Sequence, residues 1–211
     1  MATDPPAALD VPPGPPADAL QKLTTGNVRF QGGRATRRYP DYQGPYAEKQ
    51  HPYAAVLACA DSRVAPESVF DEGLDKLFVC RVAGNTADDV VIGSLEYAVT
   101  ALGVSLVAVV GHSACGACDA TLDSLNAGVL PGGSLGSVVR AILPATAHLD
   151  RRLPPDQQLR ALIASNAQLT ATTLSMNPVL RAARQARTLG VVWGVQDLRS
   201  GLVSWGPTPA G

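Results

Sequence analysis

The sequence predicts an α/β protein with a mostly parallel central sheet flanked by helices and an N-terminal helical arm. Three observations carry that prediction. Short apolar runs stand at 53–59, 77–83 and 105–111, each the length of a buried strand. Between the second and third, Val91, Leu95, Ala98, Val99 and Leu102 recur at helical spacing, with Gly103 placed as a C-terminal helix stop. A strand–helix–strand unit of this length closes as a right-handed crossover between parallel strands.

Residues 1–17 hold six of the 17 prolines and are expected to form an extended tail, since proline fixes φ and removes a donor. Asp18 is expected to cap a helix running to about Phe30, with Gln21 in the third position of a capping box and Leu20, Leu23 and Phe30 on its apolar face. Gly32-Gly33 end that helix, and a basic, tyrosine-rich loop with Pro40 and Pro45 leads to the first strand. After Cys115 a further helix is expected to about Asn126, then a loop at Pro131-Gly132-Gly133. A long helical region follows, with Leu159, Leu162, Ile163 and Leu169 on one face and a break at Pro178. Segments 190–196 and 202–205 read as late strands, the first joining the sheet. The expected organisation is a Pro-rich tail, 1–17, and one domain, 18–211.

At 211 residues, with 46% hydrophobic and 17% charged, the chain can bury a sizeable core without disulfides. A net charge of −1 leaves no footprint for nucleic acid, and Arg34, Arg37 and Arg38 read as a solvated loop. The longest apolar-rich stretch, 98–111, is broken by Thr100, Gly103 and Ser105 and is shorter than the about 18 residues a membrane span needs. No membrane association is expected. The N-terminus lacks the pattern of a secretory signal peptide, so the expected compartment is the cytoplasm. Four cysteines alongside histidine then point to metal binding or thiol chemistry rather than a disulfide scaffold.

Two stretches carry the chemistry. Cys59-Ala60-Asp61-Ser62-Arg63 ends the first strand, and Gly111-His112-Ser113-Ala114-Cys115-Gly116 ends the third and opens a helix. Both fall at the carboxyl edge of the sheet, where α/β proteins bind ligands. Alternate residues of an extended segment face one side, so Cys59 and Asp61 can aim at one point. His112 and Cys115, three apart at a turn, can reach the same ion. Two thiolates and an imidazole suit zinc better than magnesium or calcium, with Asp61 near the open fourth position.

Cys-x-Asp-Ser-Arg followed about fifty residues later by Gly-His-x-x-Cys-Gly resembles the β-class carbonic anhydrases. The likeness extends to Gly26-Asn27, Arg29-Phe30, Leu77-Phe78-Val79, Ala83-Gly84-Asn85 and Ser94-Leu95-Glu96-Tyr97-Ala98, covering roughly 18–205. The resemblance implies Zn²⁺ on Cys59, His112 and Cys115, and reversible hydration of CO₂ to bicarbonate and a proton through zinc-bound hydroxide. It implies an Asp61–Arg63 dyad in which Asp61 either accepts a hydrogen bond from the bound water or, in a closed state, ligates zinc itself. Gln50, nine residues before Cys59, matches the family's substrate-binding glutamine, and the Gly116 amide is a second candidate for that task. A homodimer or homotetramer is implied as well.

Some positions depart from the family. Val82 follows Arg81 where asparagine is common, and Val56 replaces a tryptophan that builds an inhibitory bicarbonate pocket in some bacterial members. Cys80 and Cys118 are extra, Cys80 being expected as inert core; His51 and His148 read as surface residues. Two other readings stay open. Cys115-Gly116-Ala117-Cys118 has the spacing of a thioredoxin-like dithiol, and the zinc site could be structural, sense bicarbonate without turnover, or act on CS₂ or COS.

Overall fold

Strand and helix alternate as the apolar runs require. The computed structural model describes residues 11–12, 14–36 and 48–207. Helix α1 (Pro15–Gln31) is followed by β1 (Ala54–Cys59), a short α2 (Pro66–Val69), β2 (Leu77–Val82) and a 3₁₀ turn at Ala83–Asn85. Then come α3 (Asp89–Thr100), β3 (Leu106–His112), α4 (Gly116–Ala127) and α5 (Leu135–Ile142). The long α6 (Pro155–Met176), α7 (Pro178–Gln185), β4 (Gly190–Gln196) and β5 (Val203–Trp205) complete the order.

The sheet runs β2-β1-β3-β4-β5, with every pair parallel except β4–β5. Period-two alternation sorts its side chains into two layers. Ala55, Leu57, Val107, Val109, Val191 and Trp193 face a core shared with α3, α6 and α7. Ala54, Val56, Ala58, Leu106, Ala108, Val110 and Val192 pack with Ala19 and Leu23 of α1 and with Phe70. Continuous burial of β1 and β3 explains why both read as unbroken apolar runs. The chain passes to one side of β1 to form β2 and to the other to form β3. Their carboxyl ends therefore flank a topological switch point, the crevice where this architecture places ligands.

Four expectations are corrected. The cap of α1 is Gly14, not Asp18, whose amide already donates to the Gly14 carbonyl at 3.0 Å. Pro15 and Pro16 occupy the first turn, where a missing N–H costs nothing, so the helix begins before the expected end of the tail. Residues 1–10 and 13 of that tail, and 37–47 of the expected loop, lie outside the described residues. Leu169 is exposed, because the buried stripe of α6 runs through Leu162, Ile163, Asn166, Ala167, Thr170, Ala171 and Leu174. Cys80 is only half-buried, because β2 is an edge strand with all six residues in that condition. His51 and His148 are exposed, as expected.

Candidate metal centre

Cys59 is the last residue of β1 and His112 the last of β3, so backbone pairing alone fixes both side chains at the switch point. Cys115 reaches them through a tight turn. Ala114 takes φ 55°, a left-handed conformation unusual for a residue with a Cβ, and Cys115 then caps α4. Ser113 pins the turn at both ends: its amide donates to the Gln196 carbonyl at 2.8 Å, and its hydroxyl accepts from the Leu198 amide at 2.9 Å.

The ligand atoms of Cys59, His112 and Cys115 lie within 4.8 Å of one another, and all three residues are buried. His112 Nδ1 lies 3.0 Å from the Ser113 carbonyl, which assigns the proton to that nitrogen. Nε2 is left as a buried lone pair with no hydrogen-bond partner among the described residues. A hydrogen bond with Cys115, reinforced by burial, pushes the Cys59 thiol up to about 11. A buried imidazole nitrogen without a partner beside two crowded thiols is a poor arrangement for protons and a good one for a cation. Metal binding displaces thiol protons and satisfies the lone pair. Nitrogen and two sulfurs fit zinc.

The surrounding contacts orient these groups. The Gly84 amide donates to Cys59 Sγ at 3.3 Å, and Asn166 Nδ2 donates to the Gly84 carbonyl at 2.7 Å, holding the 3₁₀ turn in place. Arg81 Nε donates to the Cys59 carbonyl at 3.0 Å and Nη2 to the Asp61 carbonyl at 2.5 Å. Arg81 and Asn166 were missed as site residues in the sequence. An arginine inside an apolar strand was the available signal for the first; Asn166, on a distant helix, left none.

Asp61 and Arg63 are paired through hydrogen bonds. Arg63 donates from its backbone amide and Nε to Asp61 Oδ1, each at 2.9 Å, and from Nη2 to Oδ2 at 2.6 Å. Asp61 Oδ2 lies 3.9 Å from His112 Nε2. Hydrogen bonding from Arg63 holds the Asp61 carboxyl well below the usual carboxylate range. Gly116 opens α4, its amide lacking an intrahelical acceptor, and an added Cβ would meet nothing within 4 Å. Gln50 is exposed ahead of β1, and among the described residues no hydrogen bond ties it to the cluster. Cys118 is buried in the same cluster as Cys59 and Cys115.

The carbonic anhydrase family model matches residues 54–203. The chain belongs to the β-carbonic anhydrase family. Carbonic anhydrase 2 of Mycobacterium tuberculosis is 46% identical over 132 residues, which span 62% of this chain and 64% of that relative's length. A carbonic anhydrase of Pseudomonas aeruginosa is 31% identical over 194 residues, 87% of this chain and 86% of its own. Among solved structures, a β-carbonic anhydrase of Aspergillus fumigatus superposes with TM-score 0.71 at 24% identity, over 90% of this chain and 89% of that one. One from Sordaria macrospora, described as tetrameric, gives 0.69 at 23% identity, over 89% and 96%. At such identities the β-carbonic anhydrases share the fold.

Proposed function

We propose that this β-carbonic anhydrase family member catalyses reversible hydration of CO₂ to bicarbonate and a proton, with Zn²⁺ held by Cys59, His112 and Cys115. The observation that carries the reading is the position of Asp61. Its acceptor oxygen stands 3.9 Å from the partnerless His112 Nε2, yet Arg63 grips it in a fork. A purely structural metal site has no use for a carboxylate held beside it by an arginine.

Zinc in such a site is a Lewis acid that lowers the pKa of water to about 7. The remaining work falls to the chain. Asp61, acceptor-only when ionised, takes a hydrogen bond from the attacking water and orients it. Arg63 fixes the carboxylate by a two-point clamp, which a lysine cannot reproduce. His112, its Nδ1 proton committed to Ser113, keeps Nε2 aimed inward. Gln50 and the Gly116 amide are assigned to substrate oxygen, Gln50 on its spacing from Cys59 and Gly116 on its free helix-start amide. The pairing found here, with Arg63 holding Asp61, supports the state in which Asp61 acts as acceptor rather than ligand.

A homodimer or homotetramer completes the proposal. The half-buried edge strand β2 offers unpaired backbone and apolar side chains for such a contact, and light scattering tests it. No helix among the described residues is long and apolar enough to cross a membrane. Stopped-flow CO₂ hydration on protein of known zinc content tests the activity. Replacing Gln50 by Ala is expected to raise KM more than it lowers kcat.

A further inference from the structure

Cys118 has no part in the proposed ligand set, yet it lies against it. It is the third residue of α4, 1% exposed, and packs in the cluster that contains Cys59 and Cys115. The two cysteines share that buried cluster, three residues apart at one helix start. Cys115 is the N-cap residue, with φ −72° and ψ 114°. That conformation turns an N-cap side chain over the first helical turn, toward the third helical residue. Residues 115 and 118 thus reproduce the helix-start spacing of reactive Cys-x-x-Cys pairs. Cys59 Sγ also lies within 4.8 Å of Cys115 Sγ, but it ends a strand and is held by the Gly84 amide at 3.3 Å. Joining it to Cys115 would draw separate elements together, whereas Cys118 stays within its own turn.

We propose that Cys118 is a resolving thiol for Cys115, so that hydrogen peroxide converts the pair to a disulfide and the site gives up a metal donor. The inference rests on Cys115 being a zinc ligand. Cys115 sulfur attacks one peroxide oxygen, the O–O bond breaks, and the departing oxygen leaves as water, giving a sulfenic acid. Cys118 sulfur then attacks the Cys115 sulfur, the S–O bond breaks, and a second water leaves with the Cys118 proton. Two thiols and one peroxide become one disulfide and two waters. A disulfide sulfur is no longer a thiolate, which leaves Cys59 and His112 as the firm donors.

The test begins with zinc content of the untreated full chain, then adds hydrogen peroxide while a chromogenic chelator reports released zinc. Wild type is expected to release its zinc and to yield a 115–118 peptide two hydrogens lighter. A thiol reductant with added zinc should restore the metal. Cys118→Ala and Cys118→Ser should form no such cross-link and, with the Cys115 sulfenic acid left open to further oxidation, should not regain zinc on addition of thiol reductant and zinc. Reductive recovery of the variants equal to that of wild type overturns the inference, as does a Cys59–Cys115 cross-link or wild type that keeps its zinc with Cys118 alkylatable. Peptide mapping of wild type decides the matter even if a variant folds poorly. Untreated, folded protein without zinc overturns the metal reading and this inference together, before any peroxide is added.

Discussion

Arg63 holds the Asp61 carboxylate at two points, 2.9 Å from Nε and 2.6 Å from Nη2, and thereby fixes it beside His112 Nε2. Replacing Asp61 by Asn should cut CO₂ hydration by about a hundredfold while zinc content is unchanged, since an amide presents a donor as well as an acceptor. Arg63→Ala should also lose activity, and Arg63→Lys should restore only part of it. Stopped-flow rates paired with metal analysis check all three.

The same clamp sets a pH expectation. Hydrogen bonding from Arg63 depresses the Asp61 carboxyl, so the ion pair is present above the unfolded value near 4 and is lost as pH falls through the lower folded value. Asp61 is therefore ionised throughout the neutral range. Any activity limb centred between about pH 6 and pH 8 belongs to another group, and Asp61→Asn should leave its midpoint in place while lowering its height. A profile whose midpoint moves with that substitution contradicts this.

Gly84 adopts φ 69°, and an added Cβ would stand 2.6 Å from Ile142 Cδ1. Gly84→Ala should therefore cost about 1–3 kcal/mol of stability, combining a left-handed backbone with overpacking. It should also weaken metal binding, because relieving that clash shifts the backbone amide that donates to Cys59 Sγ. Denaturation with chelator present reads the first effect, and zinc competition reads the second.

Asn27 of α1 donates to the carbonyls of Val69 and Gly201, at 3.1 and 2.9 Å, and accepts from the Val203 amide at 2.9 Å. One buried side chain thus ties α1 to the edge strand β5. Asn27→Ala strands three backbone groups and should cost about 2–4 kcal/mol, read as a shift in the denaturation midpoint.

Burial, with a hydrogen bond to Glu72 at 2.6 Å, raises the Tyr53 phenol above its usual range. The folded form keeps the proton longer than the unfolded one, so the contribution to stability is full below about pH 10 and is lost as pH rises beyond it. Titration of tyrosinate absorbance should show a late-ionising phase that disappears in Tyr53→Phe. The variant's stability should also fall less steeply in alkali.

The features legible in the sequence share one property: they are local. β1 and β3 announced themselves because strands buried on both faces are uniformly apolar, and the cluster emerged because Cys59, His112 and Cys115 sit at strand and helix ends. What escaped depends on contacts across the chain. Asn166 supports Gly84 from 82 positions away, and Arg81 reads as a strand interruption until its bonds to the Cys59 and Asp61 carbonyls are seen. Asp18 was an attractive cap by type, but Gly14-Pro15-Pro16 starts the helix earlier for steric reasons. Leu169 was drawn into the apolar face by composition, although it sits off the stripe through Leu162, Asn166 and Thr170.

The central claim is that Cys59, His112 and Cys115 hold a zinc ion that hydrates CO₂. The direct measurement follows zinc per chain and stopped-flow CO₂ hydration on one sample, through chelation and zinc restoration. About one zinc per chain is expected, with hydration that disappears when the metal is stripped and recovery of both together. Folded protein that takes up no zinc, or that carries zinc without hydrating CO₂, would contradict it.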